Sequence, residues 1–531
     1  MKSLLKLFSS AFLFCLLLSL PHYSYATERI LVVGDSITGH SMNLPYGYAN
    51  QIRKILKDES KDIDFVPLGG SGQTIFSWRH IISNSYENNH RLDIPGIMVK
   101  AEFDRGADVI LVHLGMNDAL QPSIPYTEEG LKNWKQEYLS LVQDLKKRVP
   151  NVSKIILTPP TMLTENPYDF KNFLMDQFSD IIQEVAAEEK CEFYNLRNDF
   201  KEAFINARLQ NPDFHITLDF VHPNEPGHQA MSCSFLQALG LSDLAQKFYN
   251  TQTASCLKES QEPSATFFVC DVPLKNQFAA FGKTSEIVVP IEIRGVLNHL
   301  SLDDLQISSE SIKLLKSTAS SNDEVLISME AQLNQLPATV TIKAGEKTQT
   351  ILVNAPYFVT TGFAFESYPN PEGFPKEKAI TEIDQATLKG ENPLTGNFSY
   401  PSSNLPVQWY CSFPTFDKTG DQNPNALDIA ALQPANAFDA AYAVRFITSP
   451  SNQKATLKLN SEGFSTTAIE KIYLNGKEIY FDCLSPRHIK AQDQIEVDLK
   501  EGLNVLVSRI DHTYWQWAVS FSFENAEGLT F

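Results

Sequence analysis

Between residues 29 and 248, short apolar runs alternate with longer segments of helical spacing, and this alternation restricts the possible fold more than any other feature of the chain. The apolar runs fall at 30–33, 63–66, 109–114, 154–157 and 192–194, and the helix-like segments at 48–57, 128–147, 170–187 and 201–209. Strand and helix in alternation predict an α/β domain, a parallel sheet covered on both faces. Ligands of such sheets bind beyond the carboxyl ends of the strands, so the loops that follow the apolar runs are the places to look for chemistry.

The first of those loops lies in the stretch ILVVGDSITGH, where Gly34, Asp35 and Ser36 follow the apolar run directly. Gly-Asp-Ser is ordinary turn chemistry and decides nothing alone. Three more stretches belong with it: GGSGQT with Gly72, the run Gly115-Met116-Asn117-Asp118, and DFVHPNEPGH with Asp219 and His222. Each has a bland structural reading, as a turn, a strand end or a local loop hydrogen bond. Together they supply what one reaction needs. A serine hydroxyl is a weak nucleophile that requires a base within hydrogen-bond reach and a third group to orient that base. Asp219 and His222 are close enough in sequence for the carboxylate to hold Nδ1–H and leave Nε2 facing Ser36. The N–H groups of Ser36 and Gly72 and the Asn117 amide can donate to a developing oxyanion.

These blocks, in this order, resemble those of the SGNH (GDSL) hydrolases, and the resemblance covers about residues 28–240. It implies a flavodoxin-like three-layer α/β/α sandwich with a parallel sheet. It also implies Ser36 as nucleophile, His222 as general base, Asp219 as its orienting acid, and Ser36, Gly72 and Asn117 as the oxyanion hole. The elbow G-x-S-x-G of α/β-hydrolases is not matched, because Thr38 stands at its second glycine. His40, His80, His113 and His228 have no acidic partner at a persuasive spacing, and His113 lies in a strand-like run where a core role is expected. Asp35 and Asp118 are expected to hold loops. Trp78, Tyr46 and Tyr48 either line a groove or pack in the core. The chain has no phosphate-binding glycine loop.

Beyond a polar stretch at 251–262 the texture becomes β-rich. Short strand-like runs at 266–270, 286–293, 324–329 and 339–342 predict a small β-sandwich, and a Pro/Gly/Asn-rich region then leads to further runs at 441–447, 455–459, 471–474, 495–499, 503–510 and 515–523. The ending GLNVLVSRIDHTYWQWAVSFSF resembles the closing strands of galactose-binding-like jelly rolls, over about residues 360–531. Trp409, Trp515 and Trp517 are either sugar platforms or core. The expected organisation is a signal peptide at 1–26, a hydrolase domain at 27–257, a β-sandwich at 258–357 and a jelly-roll-like domain at 358–531.

The leader reading rests on Lys2 and Lys6 before the apolar LFSSAFLFCLLLSL and on the small residues ending at Ala26. It predicts export to the periplasm or the extracellular space, and no later run is long enough to span a bilayer. A net charge of −19 argues against nucleic acid or an anionic membrane as partner. The six cysteines beyond the leader show no metal-ligand spacing, so neither metal nor cofactor is expected. Proximity suggests Cys256–Cys270 or Cys411–Cys483 as disulfides, and Cys233 as a possible buried thiol. The reaction expected is hydrolysis of an ester through an acyl-enzyme, with an acylated small molecule or polysaccharide as substrate and O-deacetylation of a carbohydrate as the leading case. A lipid or aryl esterase with the same triad, and a glycan-binding protein on a hydrolase scaffold, remain the alternatives.

Overall fold

A computed structural model describes residues 28–120, 128–274, 286–320, 323–364, 382–396, 398, 407–414, 426–428, 439–460, 468–481, 493–511 and 518–531. The leader at 1–26, Cys483, Trp515 and Trp517 lie outside these residues.

Five parallel strands form the first sheet: β1 (Glu28–Gly34), β2 (Ile63–Gly69), β3 (Val109–His113), β4 (Lys154–Thr158) and β5 (Glu192–Phe193), in the order β2-β1-β3-β4-β5. The principal helices are α1 (Ser36–Asn43), α2 (Tyr48–Asp58), α3 (Glu128–Arg148), α4 (Phe170–Glu189), α5 (Leu196–Gln210) and α6 (Glu225–Ala238). This is the expected α/β sandwich. Leu31, Val32, Val33, Ile110, Leu111, Ile156 and Leu157 are fully buried, which explains why these strands read as continuous apolar runs and not as alternating ones.

Register levels the functional edge. Gly34 pairs across to Gly69 on one side and to His113 on the other, so β1, β2 and β3 release their following loops at one height. Two glycines let α1 settle on that edge. A Cβ on Gly34 would lie 2.0 Å from Thr38 Oγ1, and one on Gly69 would lie 2.2 Å from the Gly39 nitrogen. Neither position has room for a side chain.

Among the described residues beyond 263, the sheets are antiparallel, as the texture of the sequence predicts, with one α-helix at Glu382–Leu388. One sandwich places β6 (Ser264–Cys270) and β8 (Val288–Asn298) in a four-stranded sheet against a three-stranded one. The second has sheets of seven and four strands, and its seven-stranded sheet ends on β7 (Val272–Pro273), contributed by the segment between β6 and β8. A single apolar cluster runs from Phe267 and Ile293 through Phe358 to Tyr442 and Tyr473, so the two sandwiches share core as well as a strand. Trp409 is buried within that cluster, in packing and not on a surface platform.

The expected Cys256–Cys270 disulfide is not formed, since both thiols are free; Cys411 is likewise a free thiol, and its expected partner Cys483 lies outside the described residues. The reason is placement. Cys270 and Cys411 are buried in apolar surroundings that raise their thiol pKa, whereas Cys256 is only partly buried, against the core of the α/β domain. Cys233 is also a free, buried thiol beside the Thr253 hydroxyl.

The first sandwich is docked through Phe268 of β6. Its ring belongs to the core of the α/β domain, with centroids 6.1 Å from Phe204 and 6.0 Å from Tyr168, and the Arg208 guanidinium lies 5.9 Å from it. Asn166 Nδ2 donates to the Val269 carbonyl at 2.9 Å beside it. Phe268→Ala is expected to destabilise the α/β domain by about 3–5 kcal/mol, the usual cost of truncating a buried phenylalanine. Urea titration followed by tryptophan fluorescence measures this, and an unchanged midpoint would show that the seam is not integral to the domain.

Candidate active site

Ser36 is the first residue of α1, and Asp35 caps that helix by accepting from the Ile37 N–H at 2.9 Å. The cap places the Ser36 side chain at the carboxyl end of β1, where the helix N-terminus adds a positive potential. Asp35 is buried, and desolvation pushes its carboxyl up to about 6 even though the Ile37 N–H and the charge of His222 favour the ionised form.

His222 arrives on the loop between α5 and α6. Leu218 N–H donates to the His222 carbonyl at 2.8 Å, Asn224 N–H donates to the Ile216 carbonyl at 3.1 Å, and Phe220 takes a left-handed φ of 65° at the tip. The resulting tight loop folds Asp219 back on its own chain. Asp219 Oδ1 accepts from the N–H groups of Val221 (3.1 Å) and His222 (2.7 Å), and Oδ2 faces His222 Nδ1 at 2.8 Å. His222 Nε2 then lies 2.9 Å from Ser36 Oγ. With the Nδ1 proton held by the carboxylate, Nε2 carries a lone pair toward the hydroxyl, so Ser36 donates and His222 accepts. The structure thus brings together Ser36, His222 and Asp219, residues separated by up to 186 positions.

The electrostatics agree with that tautomer. Burial opposes a charged His222, yet the hydrogen bond and charge of Asp219, helped by Asp35, hold its pKa above the ordinary histidine value. Burial likewise opposes the ionised Asp219, and the bonds from His222 and Val221 outweigh it and hold the carboxyl below its usual range.

The other two expected residues follow the strands on either side of β1. Gly72 has φ 70°, a backbone that favours glycine, in the loop after β2. Asn117, in the short helix Met116–Leu120 that follows β3, donates from Nδ2 to the Gln73 carbonyl at 3.0 Å, tying that helix to the loop of Gly72 and leaving a second amide N–H. Asp118 reinforces the tie by accepting from Trp134 Nε1 at 3.1 Å and from the Ile75 N–H at 3.3 Å, and burial pushes its carboxyl up to about 7. Asp35 and Asp118 hold loops, as their positions suggested.

Several aromatic residues resolve toward packing. Trp78 is buried and donates to the Gly34 carbonyl, and Tyr48 is buried against Phe235 with its hydroxyl on Thr38. His113 is buried beside Thr158, and desolvation pushes its pKa down to about 3. His228 is buried near Tyr48 with a similarly lowered pKa. His40 packs beside the site, a placement that its want of an acidic partner in the sequence did not signal. Its ring lies 4.7 Å from that of His222, and burial, with repulsion from His222, lowers its pKa. The available signal was its place four residues after Ser36 on one helix, hence on one face. Asp93 also escaped the sequence. It accepts from the Ser71 N–H and, at 2.6 Å, from the Ser71 hydroxyl, fixing the residue beside Gly72.

Among the described residues, no group of three or more His, Cys, Asp or Glu side chains is placed to hold a metal ion, and no helix is long and apolar enough to cross a membrane.

A serine, histidine and carboxylate hydrogen-bonded in series at the carboxyl edge of a parallel sheet is the arrangement found in acyl-transferring hydrolases. Residues 32–230 match the GDSL-like lipase/acylhydrolase family, and the chain carries a domain of that family over this span. An acetylxylan esterase of Geobacillus stearothermophilus is 23% identical over 227 residues, covering 40% of this chain and 94% of that protein. Among solved structures, LAE5, an alpha/beta hydrolase enzyme from the metagenome of Lake Arreo, Spain, is 21% identical. It covers 41% of this chain and 97% of its own, with a TM-score of 0.32. The acetyl xylan esterase AlAXEase is 21% identical over 40% of this chain and 99% of its own, with a TM-score of 0.31.

Proposed function

We propose that the chain is an exported serine esterase that removes O-acetyl groups from a carbohydrate through an acyl-enzyme on Ser36. The observation that carries the esterase reading is the chain of contacts Asp219–His222–Ser36, at 2.8 and 2.9 Å. In the proposed reaction Ser36 Oγ attacks the ester carbonyl carbon while His222 Nε2 takes its proton. The carbonyl oxygen becomes an oxyanion, which the N–H groups of Ser36 and Gly72 and the Asn117 amide stabilise. Collapse expels the sugar hydroxyl, which receives the proton from His222. Water activated by His222 then releases acetate and restores Ser36.

The carbohydrate part of the reading is supported by the acetylxylan esterase among its relatives and by the leader expected at 1–26. Rates on 4-nitrophenyl esters from acetyl to octanoyl, and acetate release from acetylated xylan, test it. A deacetylase is expected to lose about 10-fold or more in kcat/KM for each two carbons beyond acetyl, as a small acyl pocket excludes longer chains. A profile rising toward octanoyl would favour a lipid esterase. Glycan binding with no hydrolysis of any ester would favour a non-catalytic scaffold.

A further inference from the structure

We propose that Glu165 is a positioning residue for the Asp219–His222 pair, a role that rests on the esterase reading above. Glu165 lies in the segment that follows β4, far from Ser36 in sequence, and its side chain is only 3% exposed. Its Oε1 accepts three hydrogen bonds from the root of the His222 loop: the N–H of Ile216 at 2.8 Å, the N–H of Thr217 at 2.8 Å and the Thr217 hydroxyl at 2.7 Å. Its Oε2 accepts from His215 Nδ1, and Arg208 Nη2 of α5 stands 3.8 Å away. The preceding residue grips the loop tip, since the Thr164 N–H donates to the Phe220 carbonyl at 2.8 Å. Adjacent residues therefore hold both the root and the tip of the loop whose far side presents Asp219 and His222.

Burying a carboxylate is costly unless it is paired and hydrogen-bonded. Here the bonds that offset the cost go to backbone N–H groups that no helix or sheet ladder supplies with an acceptor. Burial disfavours the ionised Glu165, and the bonds from His215 and Thr217 more than compensate, holding its carboxyl below the ordinary range. Removing the carboxylate leaves the Ile216 and Thr217 N–H groups buried without an acceptor, and the loop must shift to find one. A shift of about 1 Å in a reacting group costs on the order of 100-fold in rate.

The test compares Glu165→Ala and Glu165→Gln in the full chain. Glutamine keeps a carbonyl oxygen for the two backbone N–H groups and loses only the acceptor for His215. Expected for Glu165→Ala is a fall in kcat on 4-nitrophenyl acetate of about 100-fold with KM little changed. The far-downfield proton resonance of the His222–Asp219 hydrogen bond is expected to weaken or move. The pH midpoint of kcat/KM, set by His222 facing Asp219, Asp35 and the His40 ring, is expected to drop as the Asp219 contact loosens. Glu165→Gln is expected to stay within about 10-fold of wild type on the same reasoning. Thr217→Val, which deletes a single donor, is expected to shift resonance and midpoint the same way by less, and it serves if the alanine variant does not fold.

Two results overturn the proposal. One is a Glu165→Ala enzyme with kcat near wild type. The other is an activity loss with the downfield resonance and pH midpoint unmoved, which is the mark of a merely structural residue. The resonance needs no substrate, so it still decides the matter if the esterase reading itself fails.

Discussion

Ser36→Ala is expected to lower kcat on 4-nitrophenyl acetate by about 10⁴- to 10⁶-fold while leaving the fold intact. The reasoning is specific to the geometry. Ser36 is buried at the N-terminus of α1, and its hydroxyl contacts His222 Nε2, so deletion of Oγ removes the attacking atom and one hydrogen bond. The helix cap survives, because Asp35 and not Ser36 supplies it. The stability cost should therefore be about 1 kcal/mol, the worth of one hydrogen bond. What remains in the variant is the oxyanion donors and the substrate contacts, which account for the residual rate over water. Two measurements belong together: initial rates, and mass spectrometry after exposure to a fluorophosphonate. Wild type is expected to gain one phosphonyl group on Ser36 and the variant none. A variant with rates within 10-fold of wild type, or one still labelled at a different residue, would place the nucleophile elsewhere.

The sheet was legible in the sequence because its strands are covered on both faces. Runs such as ILVV and VILVHL have no polar alternation to confuse them, and their observed bounds differ from the apolar runs by three residues at most. Helices α1 and α6 were not legible. Helix α1 carries Thr38, Gly39, His40 and Ser41 in place of an apolar stripe, because it packs through small residues against Gly34 and Gly69. Helix α6 begins at the cap Asn224 with Pro226 beside it, and its buried residues include Gly227, His228, Ser232 and Ser234, which break up the apolar stripe. For the site, residue types that need one another chemically, Ser with His and Asp, could be gathered from spacing and block order. Residues that support them could not. Asp93 and Glu165 are isolated acids in irregular segments, and their function comes from where the chain returns in space. The sharing of β7 between sandwiches was equally hidden, since a two-residue strand has no period to detect.

The second large effect is that of Asp219→Asn, for which a fall of about 10⁴-fold in kcat is expected, with substrate binding little altered. Asp219 Oδ1 is committed to the Val221 and His222 N–H groups, so the asparagine carbonyl takes that position and its NH₂ faces His222 Nδ1. Two donors then confront each other. The imidazole relieves this by carrying its proton on Nε2, the nitrogen that must accept from Ser36. The base is thus present and correctly placed but in the wrong tautomer. The pH dependence separates this from simple loss of structure. Catalysis needs neutral His222, whose pKa lies above the ordinary value chiefly because Asp219 outweighs the effect of burial, so wild-type kcat/KM should rise through a midpoint above about 6.5. In Asp219→Asn the residual activity should rise at lower pH, because burial is left to depress the histidine unopposed. Stability follows the same pair with the sign fixed by linkage. The raised His222 contributes fully below its unfolded value and loses that contribution as pH rises through its folded one. The lowered Asp219 contributes above its unfolded value and loses that contribution as pH falls through its folded one. The variant should therefore be most destabilised relative to wild type between about pH 4 and 6.5, where both members of the pair are charged. Thermal unfolding at pH 5 and pH 9 measures that difference. If the gap between the two proteins were the same at both values, the Asp219–His222 contact would not be an ion pair when the histidine is protonated, and Asp219 would not be what raises the His222 pKa.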